Sequence, residues 1–154
     1  MPSARLLQKV QLTNLLRQSL IADGLDPDDF AQYFADWKAE GEAGEHLDYY
    51  FGKDGFYNAP KREGRRVIKH VHMPPEGSDD LAKWERAWVR RSRKTSDTVL
   101  IYAQDPAHGF LLMHLAREPH GHKLAKMATP ETQKFMNQLA DVAEAFIFNG
   151  EILI

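Results

Sequence analysis

The sequence predicts an α+β fold: a small antiparallel sheet with an N-terminal helix or helices and a C-terminal helix. Three observations carry this: a sharply marked helix start near the N-terminus, three strand-like segments grouped mid-chain, and a long amphipathic run near the end. With 154 residues, 43% of them hydrophobic, there is material for one core of ordinary size. One domain over residues 1–154 is expected, with residues 1–22 an N-terminal extension or first strand.

Residues 5–21 (RLLQKVQLTNLLRQSLI) read two ways, because Leu6, Val10, Leu16 and Leu20 suit a helical face while Leu16, Gln18 and Leu20 also allow a strand. Asp26-Pro27-Asp28-Asp29 is a helix start: an N-cap acceptor, a proline at the first helical position, and acids where the helix dipole favours them. Phe30, Phe34 and Trp37 then mark a core-facing stripe, with Tyr33 beside it, to about Glu40, and Gly41 and Gly44 end the helix. Residues 51–60 (FGKDGFYNAP) read as a turn-rich loop with aromatic anchors.

Residues 66–73 (RVIKHVHM) alternate as a strand does, with Val67, Lys69, Val71 and Met73 on one side and Arg66, Ile68, His70 and His72 on the other. Pro74 and Pro75 stop it. Residues 80–89 are helix or loop, with Trp84 and Trp88 four apart. Residues 98–103 (TVLIYA) and 109–116 (GFLLMHLA) are strands joined through a hairpin at Gln-Asp-Pro-Ala-His-Gly. Residues 130–148 form the last helix, with Phe135, Leu139, Val142, Ala143 and Phe146 on one face.

The chain has no cysteine, which excludes disulfides, thiolate catalysis and sulfur-ligated zinc. It shows neither a membrane-spanning apolar run nor a secretory leader, so a cytoplasmic protein without membrane contact is expected. Nucleotide-binding loops, GxSxG and HExxH are absent. The net charge of −2 hides a segregation: residues 22–54 carry ten acids and two bases, whereas residues 61–94 carry eleven bases and five acids. At distances within the screening length, such a local basic stretch can hold phosphates although the sum is negative.

His70-Val71-His72 places two imidazoles on one strand face, about 6.5–7 Å apart by the strand rise. His120-Gly121-His122 repeats the spacing after the third strand. Metal-free RNA cleavage needs a base near the 2′-hydroxyl, an acid for the leaving 5′-oxygen and cations around the phosphorane. The stretch from His70 to Lys123 contains those residue types. Two other classes stay open: a metal-dependent enzyme using both His-x-His pairs, and a non-catalytic protein-binding module whose acidic helix and basic loop engage a partner. Tyr102 reads as core or as a base-stacking platform.

A set of short motifs carries a family resemblance. Residues 33–38, Phe51-Gly52-Lys53-Asp54 with Tyr57, His70-Val71-His72, Lys94-Thr95-Ser96-Asp97, Leu100-Ile101-Tyr102, Leu111-Leu112 and residues 119–125, ending His122-Lys123-Leu124-Ala125, stand in the order seen in YafO toxins. The final helix, with Met136, Ala140, Ala143, Glu144 and Phe146, is similar too, so the resemblance covers residues 23–148. It implies a type II toxin that associates with the ribosome at its large subunit, cleaves translated mRNA and is held inactive by a cognate antitoxin. It also implies a RelE-like microbial-ribonuclease architecture whose concave sheet face meets mRNA, and it tips residues 14–21 toward a first strand. The N-terminal extension, the Gly41-Glu42-Ala43-Gly44-Glu45 insertion and Gly121 depart from the family pattern.

Within that frame the expected catalytic residues are His70, His72, Arg93 and His122. The general acid or base would be His70 or His72, and His122 with Lys123 would complete the cleft from the opposite strand. Lys69, Arg90, Arg91, Lys94, Tyr102 and Lys123 are expected to bind RNA. No metal or other cofactor is expected; the partners are the antitoxin, the ribosome and mRNA.

Overall fold

The computed structural model describes residues 9–118 and 120–154. The readings of residues 5–8, and Pro119 in the resemblance, lie outside the described residues. The first described strand, β1 (Val10–Leu12), is followed at once by α1 (Asn14–Ala22). Thr13 makes the switch. Its buried hydroxyl donates to the Met113 carbonyl at 2.9 Å and accepts from the Leu16 amide at 3.1 Å, so one side chain ties the strand to the sheet and caps the helix. Residues 14–21 are therefore helical and not the first strand that the resemblance favours. Leu16 and Leu20, four apart, share the buried face.

The Asp26 start behaves as its chemistry dictates: Oδ1 accepts from the Asp28 and Asp29 amides at 2.8 and 3.2 Å, and α2 (Pro27–Ala39) buries Phe34 and Trp37. Gly41, at φ +72°, ends the helical path after α2. Gly44 instead opens the short α3 (Gly44–Leu47). Inside residues 51–60, which the sequence reads as loop, lies a strand, β2 (Asp54–Phe56). A hairpin of β3 (Lys61–Arg62) and β4 (Arg65–Arg66) leads into β5 (Lys69–His72). Then come α4 (Ser78–Val89), β6 (Val99–Asp105) and β7 (Gly109–Ala116).

After β7 the chain forms α5 (His120–Lys126), where the sequence reads as loop, and α6 (Pro130–Asn149). A Thr129–Thr132 capping box starts α6, and Gly150 at φ +67° closes it. Among the described residues no helix is long and apolar enough to cross a membrane.

The five-stranded sheet has the order β1-β7-β6-β5-β2, with β1 parallel to β7 and the other pairs antiparallel. Its two faces are both covered. Ile101, Ala103, Leu111 and Met113 meet Leu139, Ala143 and Phe146 of α6 on one face. Leu100, Tyr102, Phe110 and Leu112 meet Leu16 of α1 and Phe34 and Trp37 of α2 on the other. That is why β6 and β7 read as continuous apolar runs rather than alternating ones. Over these strands no sheet face stands open for mRNA, so groups with chemistry collect around β5 and the segments tied to it.

Candidate active site

Register sorts the β5 side chains. His70 and His72 lie opposite Ile101 and Val99, on the α6 side, whereas Lys69 and Val71 lie opposite Tyr102 and Leu100, on the α2 side. The alternation read from the sequence holds over this strand, and it divides the expected catalytic and RNA-binding residues between two faces.

On the α6 side, a knot of backbone and side-chain bonds draws the motifs together. The Gly52 amide donates to the His72 carbonyl (2.8 Å), the His72 amide to Lys53 O (2.9 Å) and the Lys53 amide to Lys94 O (2.9 Å). Gly52 is required by that approach, since a Cβ there would stand 2.4 Å from the Lys94 carbonyl oxygen. His72 is buried, its Nδ1 set against Ser96, 2.7 Å from the carbonyl oxygen and 3.0 Å from the amide nitrogen. Ser96 Oγ in turn donates to the carbonyls of Met73 (2.5 Å) and Thr98 (3.0 Å).

The next residue carries the site. Asp97 Oδ1 accepts from the His122 amide at 2.6 Å and lies 2.6 Å from His122 Nδ1, while the Asp97 carbonyl accepts from the Gly121 amide at 3.2 Å. Gly121 is the only residue type that fits, because a Cβ would stand 2.4 Å from the Asp97 oxygen. The start of α5 thus closes onto Asp97 and fixes the His122 ring by one nitrogen. The other nitrogen is free to act, as the side chain is 67% exposed. A cleft of about 370 Å³ lies against it, walled by Pro75, Asp80, Lys83, Thr95, Ser96 and Glu118.

Protonation follows from these surroundings. Burial pulls His72 below the ordinary histidine range, opposed by its Ser96 bond. His70 is lowered to about 4, by burial first and by His72 second; its ring stacks on Tyr57 at 3.9 Å between centroids. Both shifts favour the neutral imidazole, against the general-acid role expected from the sequence. Glu118 is moved the other way: burial, then the carboxylates of Asp80, Asp97 and Glu76, raise its carboxyl above the ordinary range. Asp97 and Glu118 are absent from the residues that sequence reasoning selected as catalytic. Asp97 stands inside the Lys94-Thr95-Ser96-Asp97 motif, which was a usable signal; Glu118 had none.

Tyr102, Lys69, Lys94 and Arg93 are engaged within the scaffold. Tyr102 is fully buried and donates to Asp54 Oδ1 at 2.5 Å, so its ring offers no stacking platform to a base. Lys38 and Lys69 lie 2.9 and 3.7 Å from Asp54 Oδ2. Burial lowers the Lys38 ammonium, against the pull of Asp54. Lys94, expected at a phosphate, is also fully buried, and its Nζ donates to the Glu45 carbonyl at 2.9 Å. Arg93 is paired with Glu45 at 3.2 Å, beside the Lys38 pocket and not beside His122. Arg90 and Arg91, at the end of α4, and Lys123 on α5 are exposed. Among the described residues no group of three or more His, Asp or Glu side chains is placed to hold a metal ion, although His72 and His122, one from each His-x-His pair, are near enough to interact.

Neither the curated proteins nor the solved structures contain a match. The family model described as toxin YafO, type II toxin–antitoxin system, matches residues 35–148, a span that takes in α3 to α6 and every part of the His122 cleft. The chain belongs to the YafO family of type II toxins.

Proposed function

We propose that this toxin is a ribosome-associated endoribonuclease that cleaves translated mRNA without a metal ion, and that His122 is its general base. The observation that carries the reading is the Asp97–His122 pair, 2.6 Å apart, holding an exposed imidazole in one orientation at the edge of an open cleft. An oriented imidazole is the side chain best suited to take a proton near neutral pH.

The step balances as follows. The ribose 2′-hydroxyl attacks the adjacent phosphorus and gives its proton to His122 Nε2. The phosphorus–O5′ bond breaks, and O5′ takes a proton from the protonated form of Glu118, which burial and the neighbouring carboxylates favour. The products are a 2′,3′-cyclic phosphate and a 5′-hydroxyl. Lys83, on the cleft wall, supplies positive charge for the phosphorane. His72 positions: clamped by Ser96, it fixes the segment that carries Asp97.

Two carboxylates, Asp80 and Asp97, border the cleft beside Glu118, against Lys83 and His122. Such a cleft holds free RNA weakly, which suits a substrate delivered by the ribosome rather than captured from solution. Arg90, Arg91 and Lys123, exposed outside it, are the cations that would meet ribosomal or messenger phosphates. Induction of His122→Ala tests the reading: the variant folds as wild type by circular dichroism and no longer arrests growth. Full arrest by a folded His122→Ala would remove the assignment.

A further inference from the structure

We infer that the antitoxin docks a basic, apolar-studded segment into an acid-rimmed groove at the start of α2, next to the His122 cleft. That an antitoxin exists rests on the family; nothing in the inference uses the nuclease reading.

The groove is about 520 Å³, walled by Leu25, Phe30, Tyr33 and Tyr50 and floored by Phe51 and Met73. Three of these apolar side chains are left in water: Leu25 is 46% exposed, Tyr33 61% and Tyr50 57%. Large exposed apolar groups grouped around one concavity mark a surface that a partner covers. The rim is acidic. Asp26 and Asp29 line the groove, while Asp28, beside them in the first turn of α2, is paired with Arg17 at 3.5 Å.

The groove and the cleft are linked along the chain. Met73 floors the groove, and Pro75, two residues on, lines the cleft. Arg117 links the same two regions: it donates to Asp23, next to the groove residue Gly24, and at 2.9 Å to Glu76 Oε1, and it is followed by Glu118 of the cleft. Carboxylates thus border both concavities, Asp26 and Asp29 on one and Asp80 and Asp97 on the other. A segment with aliphatic side chains in the groove and Lys or Arg toward both rims fits this charge pattern, and its continuation would cover His122. A second copy of this chain fits less well, because two acidic rims would face each other.

The test uses the full-length toxin and the product of the reading frame adjoining its gene. In Asp29→Lys/Tyr33→Ala, growth arrest stays at the wild-type level, affinity for that product falls at least ~10-fold, and co-expression no longer relieves the arrest. Tyr50→Ala, on the opposite wall, gives the same pattern if the double variant fails to fold. Wild-type binding weakens as salt is raised. Unchanged affinity and unchanged protection overturn the inference, as does a wild-type toxin dimer that the variants convert to monomer, or a neutralising segment that is acidic. Loss of the nuclease reading alone would leave the binding measurements intact, so the two failures are distinguishable.

Discussion

His70 and His114 are half-buried imidazoles, both lowered to about 4, chiefly by burial and next by a neighbouring histidine, His72 for the first and His120 for the second. A histidine held below its unfolded value of 6.5 contributes stability that is complete above that pH and is lost as pH falls toward 4, because the unfolded chain takes up the proton first. Thermal unfolding should therefore show Tm dropping below about pH 6.5. His70→Phe keeps the stack on Tyr57, removes one titration and makes the drop shallower; identical pH profiles for the two proteins would count against this account. Glu118→Gln tests the acid of the proposed step: cleavage falls by about 10²–10⁴-fold while the fold is kept. At this scale the sequence was legible in part. Period two placed His70 and His72 on one face. It could not show that Asp97 reaches His122 across 25 positions, nor that Lys94 in a dense run of cations turns inward to the Glu45 carbonyl.

Elements with strong local chemistry were legible: α2 from its Asp26-Pro27 start, α6 from Pro130 and its apolar face, and the β6–β7 hairpin from its turn. The others depend on partners far along the chain. β1 is three residues held by β7, α1 was indistinguishable from a strand until Thr13 capped it, and β2 hides in a glycine-rich run that only β5 makes a strand. Two substitutions probe elements directly. Gly121→Ala forces the start of α5 away from Asp97, and cleavage drops at least ~10-fold with the core intact. Asp54→Asn leaves Lys38 and Lys69 without their shared carboxylate and destabilises the fold by about 3–5 kcal/mol in denaturant unfolding. The same variant, where folded, cleaves within about threefold of wild type, since Asp54 lies on the α2 face; a loss on the scale set by His122 would move the active site to that face.

Across the whole molecule, the charge segregation seen in the sequence is only partly kept at the surface. The acidic stretch supplies the rim of the α2 groove, while the basic stretch splits, with Arg90 and Arg91 outside and Lys69, Arg93 and Lys94 committed to carboxylates and carbonyls. Counting charges could not foresee that split, because it depends on which cations find internal partners. The fold class and the family were legible because local signals and ordered motifs agree along most of the chain. The most direct measurement of the central claim is the chemistry of the cut ends in mRNA from cells expressing the toxin, compared with His122→Ala. The account predicts 5′-hydroxyl ends opposite 2′,3′-cyclic phosphates with the wild type and none with the variant. Ends bearing a 5′-phosphate, or unchanged cutting by His122→Ala, would contradict it.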